Sequence, residues 1–344
     1  MIKIQNMSNN LLKKTCFPLS INVEKYLEKY NRIIELPLTY ESLLRYKDSF
    51  PLGNSLWISV IYDHYNFDEI NQGLCYIYSL FKTDGDVSVI EHLRVDRVDF
   101  CLFGNSNPFR IRIINNFNDN YDYFYVKKAD VSRVLGLEIE DILSPNRINY
   151  FINENTLVEE HISGIPGDDF LKTEINHPKT NKTRLAKEFI KFNERCFYTL
   201  LGDMRSYNYV IEMTHDFDDV QYRIRSIDFD QQCYEGMKKF YLPQFFKENY
   251  DFVSLSIEML NEQSINQYQI EERSRLIRRV KHSNEILEDL FKTMEKETLS
   301  KPEKISQLAL ELSIHNKDEK FKDCKNMIEI LRLNLQHLNN QLIK

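Results

Sequence analysis

Apolar and polar positions follow two different rhythms along this chain. RVDFCLFG (97–104), PFRIRIINNF (108–117) and YDYFYVKKA (121–129) are rich in β-branched and aromatic residues, with Gly104-Asn105-Ser106-Asn107 and Asn118-Asp119-Asn120 between them. Such runs between turn residues predict a three-stranded antiparallel meander. From Asp130, a candidate N-cap, the spacing becomes helical: Val131, Leu135, Glu138 and Ile142 share one face, and Ser144-Pro145-Asn146 ends the helix. INYFI (148–152) and TLVEEHI (156–162) predict a strand pair, and Gly164, Pro166 and Gly167 mark a break suited to a hinge. RLAKEFIKFNERCFYTLL (184–201) is an amphipathic helix that Gly202 would stop. NYVIEM (208–213) and YRIRSIDF (222–229) predict a hairpin around THDFDD, and helices follow near 249–262, 268–296, 302–315 and 317–342. Ahead of the meander, 20–36 reads as a helix capped by Ser20 or Asn22, 56–67 is strand-like, and 70–83 fits either state.

Composition narrows the options. A length of 344 residues allows about two domains. Only 9 residues are glycine, well under the average usage of about 7%. No G-x-G-x-x-G, G-x-x-x-x-G-K-[ST] or G-x-S-x-G is present, which disfavours Rossmann, P-loop and α/β-hydrolase folds. The formal net charge of −7 does not suggest a nucleic-acid partner. The 6 cysteines are scattered without C-x-x-C spacing, which reads as free thiols in a reducing compartment. With no signal sequence and no long apolar run, a cytoplasmic protein without a membrane segment is expected.

The chemistry concentrates in Leu201-Gly202-Asp203-Met204-Arg205-Ser206-Tyr207-Asn208, between the long helix and the hairpin, and in Ile227-Asp228-Phe229-Asp230, where the hairpin ends. Phosphoryl transfer uses such parts. One carboxylate orients the attacking hydroxyl and accepts its proton, while an Asn and a second Asp hold Mg²⁺ against the phosphates. A hairpin brings Asn208 and Asp228 together because they lie at its two outer ends.

On these residues the chain resembles the protein-kinase-like superfamily. The resemblance implies that Asp203 is the catalytic base, that Arg205 stands where the catalytic loop has a phosphate-contacting Lys, and that Asn208 and Asp228 hold the metal, with Asp230 a further candidate. Leu201-Gly202 replace the His-Arg of eukaryotic protein kinases, and Asp230 replaces the Gly of D-F-G. The form G-D-x-x-x-x-N followed by I-D-F is more similar to atypical and small-molecule kinases of the aminoglycoside and choline kinase group. By the same resemblance, YFYVKKA carries the lysine that anchors the nucleotide phosphates. Neighbouring Lys127 and Lys128 face opposite sides of a strand. Lys128 is preferred because it shares the face of Phe124 and Val126, and Lys127 stays open. The lysine's partner would be Glu138, on the apolar stripe, ahead of Glu140, about 200° away around the helix. Glu159, Glu160, His161 and Ile162 would form the hinge that pairs with adenine. Gly104, Asn105 and Ser106 stand where a Gly-rich phosphate cover would lie, although an ordinary hairpin turn reads as well. Asp251, opening DFVSLSIEML, resembles the aspartate that steadies the catalytic loop from below.

The implied architecture is an α+β, two-lobed protein-kinase-like fold: an N-terminal extension (1–94), an N-lobe (95–163) and a C-lobe with C-terminal helices (164–344). The implied activity is transfer of the ATP γ-phosphate, with Mg²⁺, to a hydroxyl of a small-molecule or protein acceptor. The short segment 231–250 leans toward a small molecule. The alternative is a pseudokinase, the same fold used as a protein-interaction module with or without nucleotide. Asp216, Asp218 and Asp219 lack EF-hand spacing and read as a polar hairpin tip. Arg273, Arg275, Arg278, Arg279 and Lys281 read as a solvated helix face or a site for an acidic partner. Ile328, Leu331, Leu335, Leu338 and Leu342 form a short seam that either packs on the C-lobe or dimerises.

Overall fold

In a computed structural model, residues 14–53, 56–102, 105–216 and 219–341 are described. Gly104, Asp218 and Leu342 lie outside the described residues. The described chain mixes helices with antiparallel sheets and ends in a helical part, the α+β class that the pattern predicts.

The predicted meander forms β3 (Leu93–Cys101), β4 (Phe109–Asn115) and β5 (Tyr121–Lys128). The strand pair forms β6 (Tyr150–Asn153) and β7 (Thr156–Glu160). β7 pairs with β5 as well as with β6. Two earlier strands, β1 (Asp48–Pro51) and β2 (Trp57–Ile61), extend the same sheet, whose order is β1-β2-β3-β4-β5-β7-β6. Residues expected to form a separate N-terminal extension therefore share the sheet of the meander. Helices α1 (Ile21–Lys29), α2 (Tyr40–Leu43) and α3 (His64–Lys82) precede the meander. Ser20 caps α1, which stops well short of residue 36. One face of the sheet packs under α3: Phe109, Ile111, Ile113, Phe124 and Val126 are buried with Leu74, Cys75 and Ile77. The opposite face is built from ion pairs and rings. Asp99 is fully buried between Arg97 and Arg110, each 2.8 Å away, and the Arg110 guanidinium lies over Trp57 and Tyr123.

The chain divides into two compact units, one running through Asp130 and including Ile148–His161, the other comprising Val131–Arg147 and Ile162–Lys344. The expected boundary at 163 is thus crossed by one helix, α4 (Val131–Leu143), which belongs to the second unit. The Asp130 carboxylate before it accepts bonds from the Phe17 N–H and the Lys14 ammonium, both at 2.8 Å.

In the second unit, β8 (Ile165–Pro166) joins the hairpin of β9 (Tyr209–Asp216) and β10 (Asp219–Ser226) in a three-stranded sheet. Glycine beside β8 answers to crowding rather than to hinge freedom. A Cβ on Gly164 would lie 2.9 Å from the Val210 side chain, and one on Gly167 would lie 2.5 Å from the Ser206 carbonyl oxygen. After α5 (Gly167–Thr173), α6 (Lys182–Thr199) is buried along nearly its whole length. Helices α7 (Tyr250–Met259), α8 (Glu262–His282), α9 (Asn284–Met294), α10 (Pro302–Asn316) and α11 (Met327–Gln341) complete the unit. The expected 268–296 helix is two helices parted at Ser283, and the expected 317–342 helix begins as a short 3₁₀ turn. The seam residues Ile328, Leu331, Leu335 and Leu338 are buried on this unit, where the Asn334 side chain also donates to the Phe197 and Tyr198 carbonyls of α6. Arg273 of the basic run pairs with Glu194 at 2.7 Å, and Arg275 with Glu272 at 3.5 Å. Among the described residues no helix is long and apolar enough to cross a membrane.

Candidate functional site

The loop after α6 is held in an uncommon backbone path. Gly202 does not cap the helix; Leu200 does, in the left-handed region at φ 54°. Asp203 follows at φ 59°, and Cys233, which bonds Leu200, is at φ 52°. A β-branched or bulky residue rarely adopts this region, and such strain tends to be retained at functional sites. Two strands of loop lock together here. Leu201 bridges Gln232, the Cys233 N–H donates to the Leu200 carbonyl at 2.9 Å, and the Gln232 side chain donates to the Thr199 carbonyl at 2.5 Å.

Asp203, Arg205 and Asn208 form one local network. The Asp203 N–H donates to the Phe240 carbonyl at 3.1 Å. Arg205 Nε donates to Asp203 Oδ1 at 2.7 Å, and its Nη1 donates to Glu248 Oε1 at 2.8 Å. The guanidinium lies over the Phe246 ring. Asn208 Nδ2 donates to the Asp203 carbonyl at 2.7 Å, closing the D-x-x-x-x-N loop on itself. Burial pushes the Asp203 carboxyl above its ordinary pKa, Arg205 opposes that rise, and Glu235 and Glu248 reinforce it. A half-buried carboxylate with raised proton affinity, fixed by an arginine, is suited to take a proton from a hydroxyl.

The support beneath the loop is Asn249, not Asp251. Asn249 is fully buried; its amide donates to the Met204 and Pro243 carbonyls at 2.9 and 2.8 Å, and its oxygen accepts the Tyr209 hydroxyl at 2.8 Å. Asp251 is exposed in the first turn of α7.

Asp228 and Asp230 come to the same end of the hairpin as Asn208, whose carbonyl accepts the Ile227 N–H at 3.0 Å. They are bound by a residue that the sequence reading passed over. Arg133 of α4 is buried; its Nη1 donates to Asp228 Oδ1 at 2.9 Å and to Asp230 Oδ1 at 2.8 Å, and its Nη2 donates to the Ile227 carbonyl at 3.2 Å. The Asp230 N–H donates to Asp228 Oδ1 at 3.1 Å. One helical turn on, Gly136 lets Phe229 approach, since a Cβ there would lie 2.7 Å from Phe229 Cβ. A signal for Arg133 was present: it is the single basic residue of VSRVLGLEIEDIL.

Asn208, Asp228 and Asp230 offer oxygen donors of the kind Mg²⁺ prefers. Their arrangement does not fit the ion. A guanidinium nitrogen lies within hydrogen-bond distance of Oδ1 of both carboxylates, in the space that an ion bridging those two oxygens would take.

The remaining candidates lie in two places. In the first unit Lys128 is exposed at the end of the face shared with Phe124 and Val126. Lys127 is the buried lysine, and its Nζ meets Glu159 Oε2 at 2.6 Å. Lys127, not the preferred Lys128, is thus the lysine with an acidic partner, Glu159 of β7. Glu160 accepts from the Asn149 N–H at 2.7 Å, and His161 Nδ1 lies 3.3 Å from the Tyr125 hydroxyl. Ile162, which opens the second unit's main segment, is buried. Asn105 Oδ1 accepts the Lys14 N–H at 3.3 Å, and Ser106 sits beside it in a turn. In the second unit Glu138 is buried on α4. Glu140 lines a small cavity with Phe192, Arg195, Cys196, Thr199 and Leu276. Burial raises its pKa, and Arg195 opposes the shift.

No protein-family model and no curated protein matches the chain. Among solved structures it is similar to "Titin kinase and its flanking domains", at 11% identity and a TM-score of 0.28, over 71% of this chain and 54% of that one. It is similar also to the "autoinhibited serine kinase domain of the giant muscle protein titin", at 12% identity and a TM-score of 0.28, over 71% of this chain and 92% of that one. The chain thus spans about half the length of the first. Likenesses at that TM-score are too distant to carry fold or chemistry, which rest on the residues described above.

Proposed function

We propose that the chain is a kinase-like phosphotransferase that moves the γ-phosphoryl group of ATP to a hydroxyl, with Asp203 as the proton acceptor. The observation that carries this reading is the closed Asp203–Arg205–Asn208 loop, in which a carboxylate of raised proton affinity is fixed beside the hairpin end that bears Asp228. In the step proposed, the acceptor oxygen forms a bond to the γ-phosphorus and the bond from that phosphorus to the ADP oxygen breaks. ADP leaves with the electron pair, and the hydroxyl proton passes to Asp203. Arg205 holds the carboxylate in place and, through Glu248, is itself held. No step is drawn through a metal. The acceptor is proposed to be a small molecule, because residues 231–250 are taken up by short 3₁₀ turns at Lys238–Tyr241, Pro243–Phe245 and Lys247–Asn249.

The test is transfer of label from γ-³²P-ATP to small hydroxyl compounds. Transfer by the wild type that falls about 10²–10⁴-fold in Asp203→Asn is expected. Transfer that survives Asp203→Asn overturns the base assignment. A second reading, a kinase-like interaction module without turnover, is favoured by Arg133 already pairing with both Asp228 and Asp230. It predicts ATP binding with no transfer.

A further inference from the structure

We infer that the Arg133 guanidinium is the resident cation of the Asp228–Asp230 pair, and that the chain binds its nucleotide without a divalent metal. The inference rests on the nucleotide reading proposed above and replaces the metal which the sequence resemblance implies.

Three observations carry it. The first is position. One nitrogen, Nη1, lies within hydrogen-bond distance of Oδ1 of both carboxylates. A Mg²⁺ ion bridging those oxygens would sit about 2.0–2.1 Å from each, in space that the guanidinium occupies. The second is permanence. Arginine stays charged at every pH a protein survives, so the guanidinium does not release the carboxylates by losing a proton. Arg133 is 1% exposed, and Asp230 is nearly as buried. Leaving would strand buried negative charge, which is strongly unfavourable. The third is anchoring. Nη2 holds the Ile227 carbonyl, and Gly136 on the same helix packs against Phe229, so the arginine is fixed from both sides of the Asp-Phe-Asp segment. A second cation brought to the same oxygens would meet the guanidinium's charge at close range.

The consequence is a site whose positive charge is built into α4. The full chain titrated with ATP in EDTA and in Mg²⁺, followed by calorimetry and melting temperature, tests it. Saturable binding in both, with Kd values that agree within about threefold and equal melting shifts, is expected. Saturable binding only in Mg²⁺ overturns the inference and leaves the nucleotide reading intact. No binding in either overturns the nucleotide reading, and with it the inference. A second arm uses Mn²⁺ alone, followed by electron spin resonance. The wild type is expected to bind Mn²⁺ at least about tenfold more weakly than Arg133→Gln, a difference of one decade in Kd. Equal affinity would overturn the inference. The wild-type ATP arm stands whether or not the variant folds.

Discussion

Asp203 holds a left-handed backbone conformation, a buried carboxyl and an arginine partner at once. Its folded pKa lies above its ordinary 3.8, with burial as the main cause. The sign of the linkage follows from that direction. The native state holds the proton more tightly, so the stabilisation from this group is fully present below the unfolded pKa and is lost as pH rises through the folded pKa. Asn cannot ionise. The stability of Asp203→Asn relative to wild type is therefore predicted to rise from about pH 4 upward and to level off once wild-type Asp203 is fully ionised. Urea unfolding of both proteins across that range checks it; a flat or falling difference contradicts it. The D-x-x-x-x-N spacing, an acid and an amide five residues apart at the end of a long helix, marks this loop in the sequence, and in the structure the Asn208 amide closes it on the Asp203 carbonyl. Lys127 was less legible. Strand alternation separates Lys127 from Lys128 but does not say which face meets Glu159, because that pairing is made across to β7, 32 residues later.

At the scale of elements, local periodicity predicted the meander, the β6–β7 pair, the β9–β10 hairpin and most helices. Misreadings came where a distant contact set the outcome. On α4 every residue from Val131 to Ile139 is buried. An apolar stripe therefore could not rank Glu138, Glu140 and Arg133, since the helix has no free face to define one. Gly164 and Gly167 were read as punctuation, yet each leaves room for a specific neighbour, Val210 and the Ser206–Tyr209 turn, as Gly136 does for Phe229. The base of the loop was assigned two residues too far along. Asn249 makes three bonds from a fully buried position. Asn249→Ala would leave the Tyr209 hydroxyl and the Met204 and Pro243 carbonyls without that partner, at about 1–3 kcal/mol for each group left unsatisfied. Asp251→Ala, at an exposed helix start, is predicted to change stability by less than about 0.5 kcal/mol. Chemical denaturation of the two variants separates these roles, and a larger loss for Asp251→Ala would refute the assignment.

For the whole molecule, the α+β class and the helical C-terminal part were legible, because strand and helix rhythms occupy separate stretches of the chain. The division into units was not. β1 and β2 join β3 through pairing between residues about 40 apart, and α4 leaves its neighbours in sequence for the second unit. Neither event leaves a local mark on hydrophobic spacing. The central claim concerns the second unit: the loop after α6 and the Asp228–Asp230 segment together receive a nucleotide. Hydrogen–deuterium exchange of the full chain with and without saturating ATP tests this most directly. The account predicts slowed exchange over 200–209 and 227–233, where locked loops already meet. Unchanged exchange in both segments at saturating ATP, with protection confined elsewhere, would contradict it.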